Sequence, residues 1–449
     1  MYVERSIDAE LSAWADGAGR RPLVLRGARQ VGKTEAVRHL GKRFKVFLEL
    51  NLERRPDLRL VEDSETPEDL LLALRVRNNL TSLPESTLLF LDEVQESVKA
   101  IEWLRFLHED RPGLAVVAAG SLMEVRLADR GFSFPVGRVT FRYLSPFSFF
   151  DFLRATGREV LRDTLGSLRI PTAVHDEGLR ALRDYLLVGG MPAAVNAWVD
   201  TGAPSRARQV QTDLLQSFAE DLYRYRGVRN LEPIEAAFDA LPHHFGSRFK
   251  YARFAPDQSS VRMKAALDKL EGAMLVDVAR PTSSYAPPYR QRPRSAPKLI
   301  PLDTGLALAQ AGTPFEELLR ADPLAVLGGR AAEMLVGQQL RARRLRDREP
   351  LWFWTAESSR ANAEVDFLVG DVPVEVKAGA GGTLRSMHQF LARGGGRLGV
   401  RLDAGPPRDR QQRVRVPGYG EIAYRLVSLP LYLAETLVAG GRIPAPRTE

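Results

Sequence analysis

The 449-residue sequence contains no cysteine and no apolar run long enough to span a membrane. The first absence excludes disulfides and zinc sites built on thiolates, and it is compatible with a reducing cytoplasm. The second absence, with no signal-peptide pattern at the N-terminus, predicts a cytoplasmic protein that has no membrane partner. The six histidines show no metal-binding spacing, so a histidine-based metal site is not expected.

The remaining composition is that of an ordinary globular protein, with 44% hydrophobic and 27% charged residues. The length favours about three domains over one. The formal net charge of +8 favours a polyanionic partner such as DNA. Arginine-rich helix surfaces would give the same balance, so the charge alone does not identify the partner.

A glycine-rich segment follows the first strand-like run, Arg21 to Arg26, and precedes a helical segment. Such a loop lets successive backbone N–H groups and a helix N-terminus face phosphates. Lys33 is expected to reach the β- and γ-phosphate oxygens, and the Thr34 hydroxyl to bind Mg²⁺. The sequence therefore predicts a site for ATP, or GTP, with Mg²⁺. The expected nucleotide-binding residues are Gly27, Ala28, Arg29, Gln30, Val31, Gly32, Lys33, Thr34 and Glu35.

Two carboxylates follow a second apolar, β-prone run, Thr87 to Leu91. They are placed at the carboxyl end of a strand, where α/β sheets bind ligands. Asp92 is expected to hold Mg²⁺ through its water shell, and Glu93 to act as general base on the attacking water. The pair favours hydrolysis over nucleotide storage. The alternative is an acidic helix start after a buried strand.

Several further motifs accompany these two in a fixed order. The full set is Gly27 to Thr34, Leu91 to Gln95, Ala119 to Ser121, Gly137-Arg138, Leu144 to Phe147 and Val188 to Pro192. Together these motifs resemble the bacterial and archaeal AAA-type ATPases that carry a DUF4143-type C-terminal region.

The resemblance implies roles for residues beyond the loop. Ser121 would orient the lytic water, although it equally suits the N-cap of a following helix. Arg138 is a candidate transition-state arginine, with Arg126 and Arg130 as rivals. AAA-type ATPases usually complete their site with an arginine of a neighbour, which implies a homo-oligomer, either a ring or a dimer.

The same resemblance places Gly190 and Pro192 near the adenine. Taken alone, their Gly-Gly-Met-Pro segment is only a helix-breaking turn.

The middle of the chain is mostly helical in its periodicity. Residues 151–240 suggest a helical lid and connector. Residues 241–295 resemble a winged helix, in which Arg262, Lys264 and Lys269 would face DNA. The alternative is a winged helix that serves only as a packing module.

The C-terminal part contains a second chemical signature. Glu364 to Val369 and Val372 to Lys377 alternate as the two strands of a hairpin. Alternation puts Glu364 and Asp366 on one face, and Glu375 and Lys377 on one face of the returning strand. Phosphodiester hydrolysis can use such a set, with Asp366 and Glu375 holding Mg²⁺ and Lys377 positioning or deprotonating water.

This pattern is similar to the PD-(D/E)xK nuclease superfamily, whose core resembles restriction endonucleases. The resemblance implies a further acidic metal ligand from an upstream helix, here Glu333. Such folds also serve as binding or assembly modules, so cleavage does not follow from the fold.

The predicted fold is therefore α/β, with four parts. Residues 1–150 form a P-loop AAA-type ATPase core, 151–240 a helical lid, 241–295 a winged-helix module and 296–449 a restriction-endonuclease-like α/β domain. The predicted function is that of an Mg²⁺-dependent ATPase coupled to a C-terminal domain that acts on DNA. Whether this domain also cleaves DNA is left open. The alternative is an ATP-switched assembly that binds DNA or a protein partner, with a catalytically silent nuclease fold.

Overall fold

The computed structural model describes residues 2–120, 137–223, 232–292, 294–320, 323–356, 363–379 and 381–437. The chain divides into two compact units. The first comprises Met1–Ser145 and two short later segments, Gly272–Met274 and Leu345–Arg348. The second comprises Pro146–Glu271, Leu275–Arg344 and Glu349–Glu449.

The first unit alternates helices and strands, which confirms the α/β class expected for this part of the chain. Side-chain caps start two of its helices, since the Thr66 hydroxyl accepts from the N–H of Asp69 and the Ser97 hydroxyl from that of Ala100. Its elements are α1 (Ser6–Asp16), β1 (Leu23–Arg26), α2 (Lys33–Gly41), β2 (Val46–Asn51), α3 (Arg55–Asp63), α4 (Pro67–Arg77), β3 (Thr87–Asp92), α5 (Val98–Asp110), β4 (Ala115–Gly120) and β5 (Thr140–Tyr143).

The five strands of this unit form one parallel sheet in the order β2-β3-β4-β1-β5. Every residue of β3 and β4 is buried, as expected for central strands of a parallel sheet. Because all five strands run the same way, their carboxyl ends meet at one edge. The loop after β1 and Asp92 at the end of β3 therefore lie on the same edge.

The second unit begins with a run of helices, which agrees with the helical periodicity of residues 151–240. None of the helices within the described ranges is long and apolar enough to cross a membrane. The helices of this unit are α6 (Phe149–Ala155), α7 (Glu159–Gly166), α8 (Thr172–Val188), α9 (Pro192–Thr201), α10 (Pro204–Tyr223), α11 (Glu232–His244), α12 (Ser260–Gly272), α13 (Thr304–Gln310), α14 (Phe315–Arg320), α15 (Pro323–Ala342) and α16 (Arg385–Gly394).

The same unit contains an eight-stranded mixed sheet in the order β12-β13-β11-β10-β9-β8-β6-β7. The expected hairpin is present, since β9 and β10 pair antiparallel with Val369 opposite Val372. Helix α16 packs against this sheet through Met387, Phe390 and Leu391, which are buried with Trp354. The strands are β6 (Val276–Thr282), β7 (Lys298–Pro301), β8 (Trp352–Thr355), β9 (Glu364–Val369), β10 (Val372–Val376), β11 (Leu398–Asp403), β12 (Arg408–Val416) and β13 (Gly420–Pro430).

The predicted boundary between residues 295 and 296 is wrong. It separates β6 from β7, yet these strands pair antiparallel, with Val278 opposite Leu299. Strand β6 also pairs parallel with β8, so it is an integral part of the C-terminal sheet. The helix, turn and helix that precede β6 are present, but they do not form a separate module with it. Backbone pairing over a long sequence distance sets this boundary, and local periodicity does not reveal it.

A tight crossing of three chain segments lies within the second unit. The N–H of Gly190 donates to Asp303 Oδ2 at 2.6 Å, and its carbonyl accepts from the N–H of Phe147 at 2.7 Å. The Tyr185 hydroxyl donates to the Phe147 carbonyl at 2.7 Å. A Cβ atom on Gly190 would lie 2.1 Å from that carbonyl oxygen, so the crossing requires glycine at this position.

We expect Gly190→Ala to lower the free energy of unfolding of the second unit by about 3 kcal/mol, because overpacking forces the backbones apart. Thermal unfolding followed by circular dichroism measures this loss. Gly166→Ala is the matched control, since its new Cβ would meet only a Phe150 ring carbon at 3.6 Å. A variant with unchanged stability but a raised KM for ATP would contradict this account and favour the adenine contact implied by the family resemblance.

Candidate functional site

The glycine-rich loop joins β1 to α2 in the first unit. Gly32 precedes α2 with a φ of +95°, a conformation that side chains of L-residues disfavour. The first N–H groups of α2 therefore open toward the loop, as an anion site requires. Ala28 and Val31, which are part of the loop, are buried. Glu35 instead pairs with Arg38 on the exposed side of α2, at 2.8 Å.

Lys33 is buried, with 5% of its surface exposed. Its ammonium donates to the carbonyl oxygens of Gly27 at 3.0 Å and Ala28 at 2.9 Å. Burial lowers the pKa of Lys33, against the opposing charges of Glu93 and Asp92. The ammonium thus lies at the loop itself, held by two neutral oxygens.

The Thr34 hydroxyl donates to Asp92 Oδ2 at 2.8 Å, which joins the start of α2 to the end of β3. Asp92 is 2% exposed, and burial raises its pKa to about 6. A hydroxyl and a carboxylate at one point form an oxygen donor set of the kind Mg²⁺ prefers. These two residues therefore fit a magnesium ion in the way the sequence predicts.

Glu93 follows Asp92 in the left-handed region, with a φ of +52°, which is uncommon for a non-glycine residue. Its Oε2 accepts a hydrogen bond from Gln95 Nε2 at 2.6 Å. Glu93, the expected general base, therefore follows directly after Asp92 of the Thr34–Asp92 pair, and Gln95 holds its carboxylate.

Arg138 lies at the opposite edge of the sheet from the loop. Its strand β5 begins with Thr140 opposite Leu23, the first residue of β1, whereas the loop follows the last residue of β1. The Arg138 guanidinium pairs with Glu109 at 2.7 Å. Within its own chain Arg138 is therefore placed away from the loop, and its role as a transition-state arginine stays a prediction. A contribution to the site of a neighbouring chain stays a prediction.

Three other predicted residues, Ser121, Arg126 and Arg130, lie outside the described residues. Gly190 and Pro192 belong to the second unit, where Pro192 starts α9 and both backbone polar groups of Gly190 are already bonded. Their proposed adenine contact stays a prediction.

The second unit brings together the carboxylates of the expected nuclease-like hairpin. Asp366 lies on β9 and Glu375 on the adjacent strand β10, and Asp366 Oδ2 accepts from the N–H of Val376 at 2.8 Å. Lys377 Nζ lies 3.0 Å from Glu375 Oε2. Burial and the neighbouring Asp366 raise the pKa of Glu375. The face predicted by strand alternation is therefore present.

A lysine that the sequence did not single out lies in the middle of this cluster. Lys298 on β7 is 2% exposed, and its ammonium is 2.7 Å from Glu333 Oε2, 2.7 Å from Glu364 Oε1 and 3.4 Å from Asp366 Oδ1. Burial opposes its charge, but the three carboxylates outweigh that effect and raise the pKa of Lys298. We call Lys298, Glu333, Glu364, Asp366 and Glu375 the carboxylate cluster.

This arrangement does not fit the divalent metal predicted for Glu333, Asp366 and Glu375. The Lys298 ammonium already contacts Glu333 and Asp366, on oxygens that a metal would need. Among the described residues, no group of three or more histidine, aspartate or glutamate side chains is arranged to hold a metal ion.

The residues expected to face DNA lie on α12. Its apolar side is buried through Met263 and Leu267, while Arg262 and Lys264 are exposed and Lys269 is half-buried. Lys264 pairs with Asp268 at 2.6 Å across one helical turn. This exposed side suits a polyanion, and it equally suits an ordinary solvated helix.

Three protein-family models match successive parts of the chain. An AAA domain matches residues 19–153, the range that holds the loop, Asp92 and Glu93. Domains of unknown function match residues 179–317 (DUF8612) and 328–400 (DUF4143). The chain is an AAA-type ATPase with a DUF4143 region. This confirms the family resemblance drawn from its motifs.

The AAA-type ATPase matches no curated protein. Among solved structures it is similar to the Walker-type ATPase PABY2304 of Pyrococcus abyssi, with 15% identity over 69% of this chain and 96% of that chain and a TM-score of 0.43. It is also similar to PCH-2 of C. elegans, with 15% identity over 60% and 69% of the two chains and a TM-score of 0.23. Scores this low carry no conclusion about function.

Gln95 is a residue of this ATPase whose role sequence reasoning missed. It is 2% exposed, and its amide nitrogen is committed to Glu93. Its position two residues after Glu93 in Leu91-Asp-Glu-Val-Gln95 is the only sign of this role in the sequence. A buried amide is well suited to hold a carboxylate in one rotamer.

We expect Gln95→Ala to lower kcat for ATP hydrolysis by about tenfold with little change in KM, because Gln95 positions the base and does not contact the phosphates. Steady-state phosphate release measures both constants. Gln95→Glu tests the geometry further, since like charges would push Glu93 away and lower kcat at least as much. A raised KM with unchanged kcat in Gln95→Ala would contradict this positioning role.

Proposed function

We propose that this protein hydrolyses ATP at the loop between β1 and α2 in an Mg²⁺-dependent reaction. The Thr34–Asp92 contact carries the proposal, because it joins the phosphate-binding helix to the acidic strand end at 2.8 Å. Magnesium held by Thr34 and, through water, by Asp92 would neutralise charge on the β- and γ-phosphates. The AAA-domain match over residues 19–153 supports the same activity.

Each group at the site has a separate role in this reaction. The first N–H groups of α2 bind phosphate oxygens, and Lys33 exchanges its two loop carbonyls for them. Glu93 polarises the attacking water and accepts its proton as the bond to the γ-phosphorus forms. The proton passes from water to the Glu93 carboxylate, and ADP leaves with the electron pair of the broken bond.

We further propose that the active form is a homo-oligomer, either a ring or a dimer. Arg138 lies at the sheet edge away from its own loop and is half exposed. That position suits an arginine that serves the site of a neighbouring chain. ATP turnover per chain would then rise with protein concentration, and Arg138→Ala would remove the rise.

For the C-terminal part, we propose that it acts on DNA. The net charge of +8 and the exposed Arg262 and Lys264 on α12 support a polyanionic partner. The convergence of Asp366, Glu375 and Lys377 supports a nuclease-like domain.

Of the two functions, the geometry favours the one in which this nuclease-like fold is catalytically silent. Lys298 engages carboxylates that metal-dependent cleavage would need for Mg²⁺. The protein would then be an ATP-driven switch that assembles on DNA or with a protein partner, and cleavage is the competing function.

Lys33→Ala is expected to abolish ATP turnover, because Lys33 supplies the positive charge that is expected to reach the β- and γ-phosphates. Phosphate release at saturating ATP measures this. Lys42→Ala is the matched control, since Lys42 is an exposed lysine just after the other end of α2 and should leave turnover unchanged. Equal turnover in Lys33→Ala and wild type would refute the proposed site.

Wild-type protein with ATP and Mg²⁺ or Mn²⁺ is expected to retard DNA in a gel and leave linear, circular and single-stranded DNA intact. High salt should remove the retardation, because phosphate contacts release counterions. Cleavage that is lost in Lys377→Ala but kept in the exposed control Lys250→Ala would overturn the silent form and establish a nuclease. The absence of retardation at low salt would contradict DNA as the partner.

A further inference from the structure

The Lys298 ammonium is surrounded by acidic side chains. An ammonium group has three N–H donors, and three carboxylates lie around this one. Two of them, Glu333 on α15 and Glu364 on β9, are at 2.7 Å, and Asp366 is at 3.4 Å. Its carbon chain belongs to β7, so one lysine joins three separate elements of the second unit.

The surroundings of Lys298 leave it little alternative to these partners. The side chain is 2% exposed, so water does not compete for the ammonium. The rings of Phe353 and Phe367 lie 5.1 Å and 5.8 Å from Nζ and add a favourable but weaker attraction. A buried ammonium that left the carboxylates would therefore lose its charge compensation.

The other acidic side chains of the cluster also carry protein cations. Glu375 pairs with Lys377 at 3.0 Å, and the second oxygen of Glu364 lies 3.2 Å from Arg248 Nη1. Asp366 uses its remaining oxygen on the N–H of Val376. Lysine, arginine and backbone donors thus bind the carboxylate oxygens that a metal centre would leave free for the ion.

We propose that Lys298 is a tethered cation that takes the place of a divalent metal in the carboxylate cluster, and that removing its charge opens a divalent-cation site there. A divalent ion needs carboxylate oxygens at about 2.0 to 2.6 Å, and Lys298 contacts oxygens of the same groups. An ion and the ammonium placed on the same oxygens would repel each other at close range. The two occupants are therefore mutually exclusive.

This inference rests on the proposed silent form of the nuclease-like domain and names the residue responsible for it. Its site differs in charge balance from the nucleotide site, where Lys33 rests on neutral carbonyls. The ammonium at the loop leaves Asp92 and Thr34 to their own contact, whereas Lys298 contacts the candidate ligands Glu333 and Asp366 directly.

The experiment counts Mn²⁺ ions bound by the full-length chain without nucleotide or DNA, from the loss of the free-ion signal in electron paramagnetic resonance. Four proteins are compared: wild type, Asp366→Asn, Lys298→Met and the double variant. Methionine keeps an unbranched apolar chain beside Phe353 and Phe367 but has no charge. Lys250→Met is the matched control for removal of an exposed lysine in the same unit.

Wild type and Asp366→Asn are expected to bind the same number of ions, and Lys298→Met to bind one more. The additional ion should be lost in the double variant and absent in Lys250→Met. An ion bound by wild type and lost in Asp366→Asn would overturn the proposal, as would a folded Lys298→Met that gains none.

Thermal unfolding gives a second measurement. Mn²⁺ should raise the Tm of Lys298→Met and leave that of wild type unchanged, because a ligand stabilises only the form that binds it. If Lys298→Met does not fold, the comparison of wild type with Asp366→Asn decides the matter, since equal counts support the tethered cation and unequal counts refute it. Neither ATP turnover nor DNA retardation enters these measurements. A failure of the proposed ATPase or DNA-binding function can therefore be told apart from a failure of the tethered cation.

Discussion

Both candidate sites depend on one constraint, which is that a charge buried in a protein must find its compensation inside the protein. At the nucleotide site Lys33 and Asp92 are 5% and 2% exposed, and at the carboxylate cluster Lys298 and Glu375 are 2% and 3% exposed. Removing one partner of a buried charged pair typically costs about 3 to 5 kcal/mol. The positions of the surrounding strands and helices are therefore tied to these contacts as well as to apolar packing.

The two sites meet this constraint in opposite ways. The Lys33 ammonium is held by two backbone carbonyls, which carry only partial charges. Phosphate oxygens offer it full negative charge, so exchange toward a nucleotide is favourable. The Lys298 ammonium is already surrounded by carboxylates from α15 and β9. An incoming cation would have to displace it, so the first site is open to its ligand and the second is closed.

Sequence reasoning succeeded where the chemistry is local. The strand before Gly27, the helix after Gly32 and the hairpin that bears Asp366 and Glu375 all follow from periodicity and short motifs, and the structure contains each of them. Sequence reasoning failed where segments that are distant in the sequence meet. Lys298 lies 35 residues from Glu333 and 68 from Asp366, inside an apolar run with no motif of its own. Likewise, β6 joins the C-terminal sheet through Arg280, Pro281 and Thr282, which pair with β8 across the predicted domain boundary.

By itself the sequence determined that this chain has a phosphate-binding loop, an acidic strand end and a hairpin with two carboxylates and a lysine. These are properties of adjacent residues, and backbone geometry places adjacent residues predictably. Only the tertiary structure decided which charges meet across elements. It placed Arg138 beside Glu109 at the far sheet edge, Gln95 on Glu93, and Lys298 among the carboxylates. The physical reason is that strand pairing and helix packing join residues that no local pattern connects, and a buried charge takes whichever partner that packing supplies.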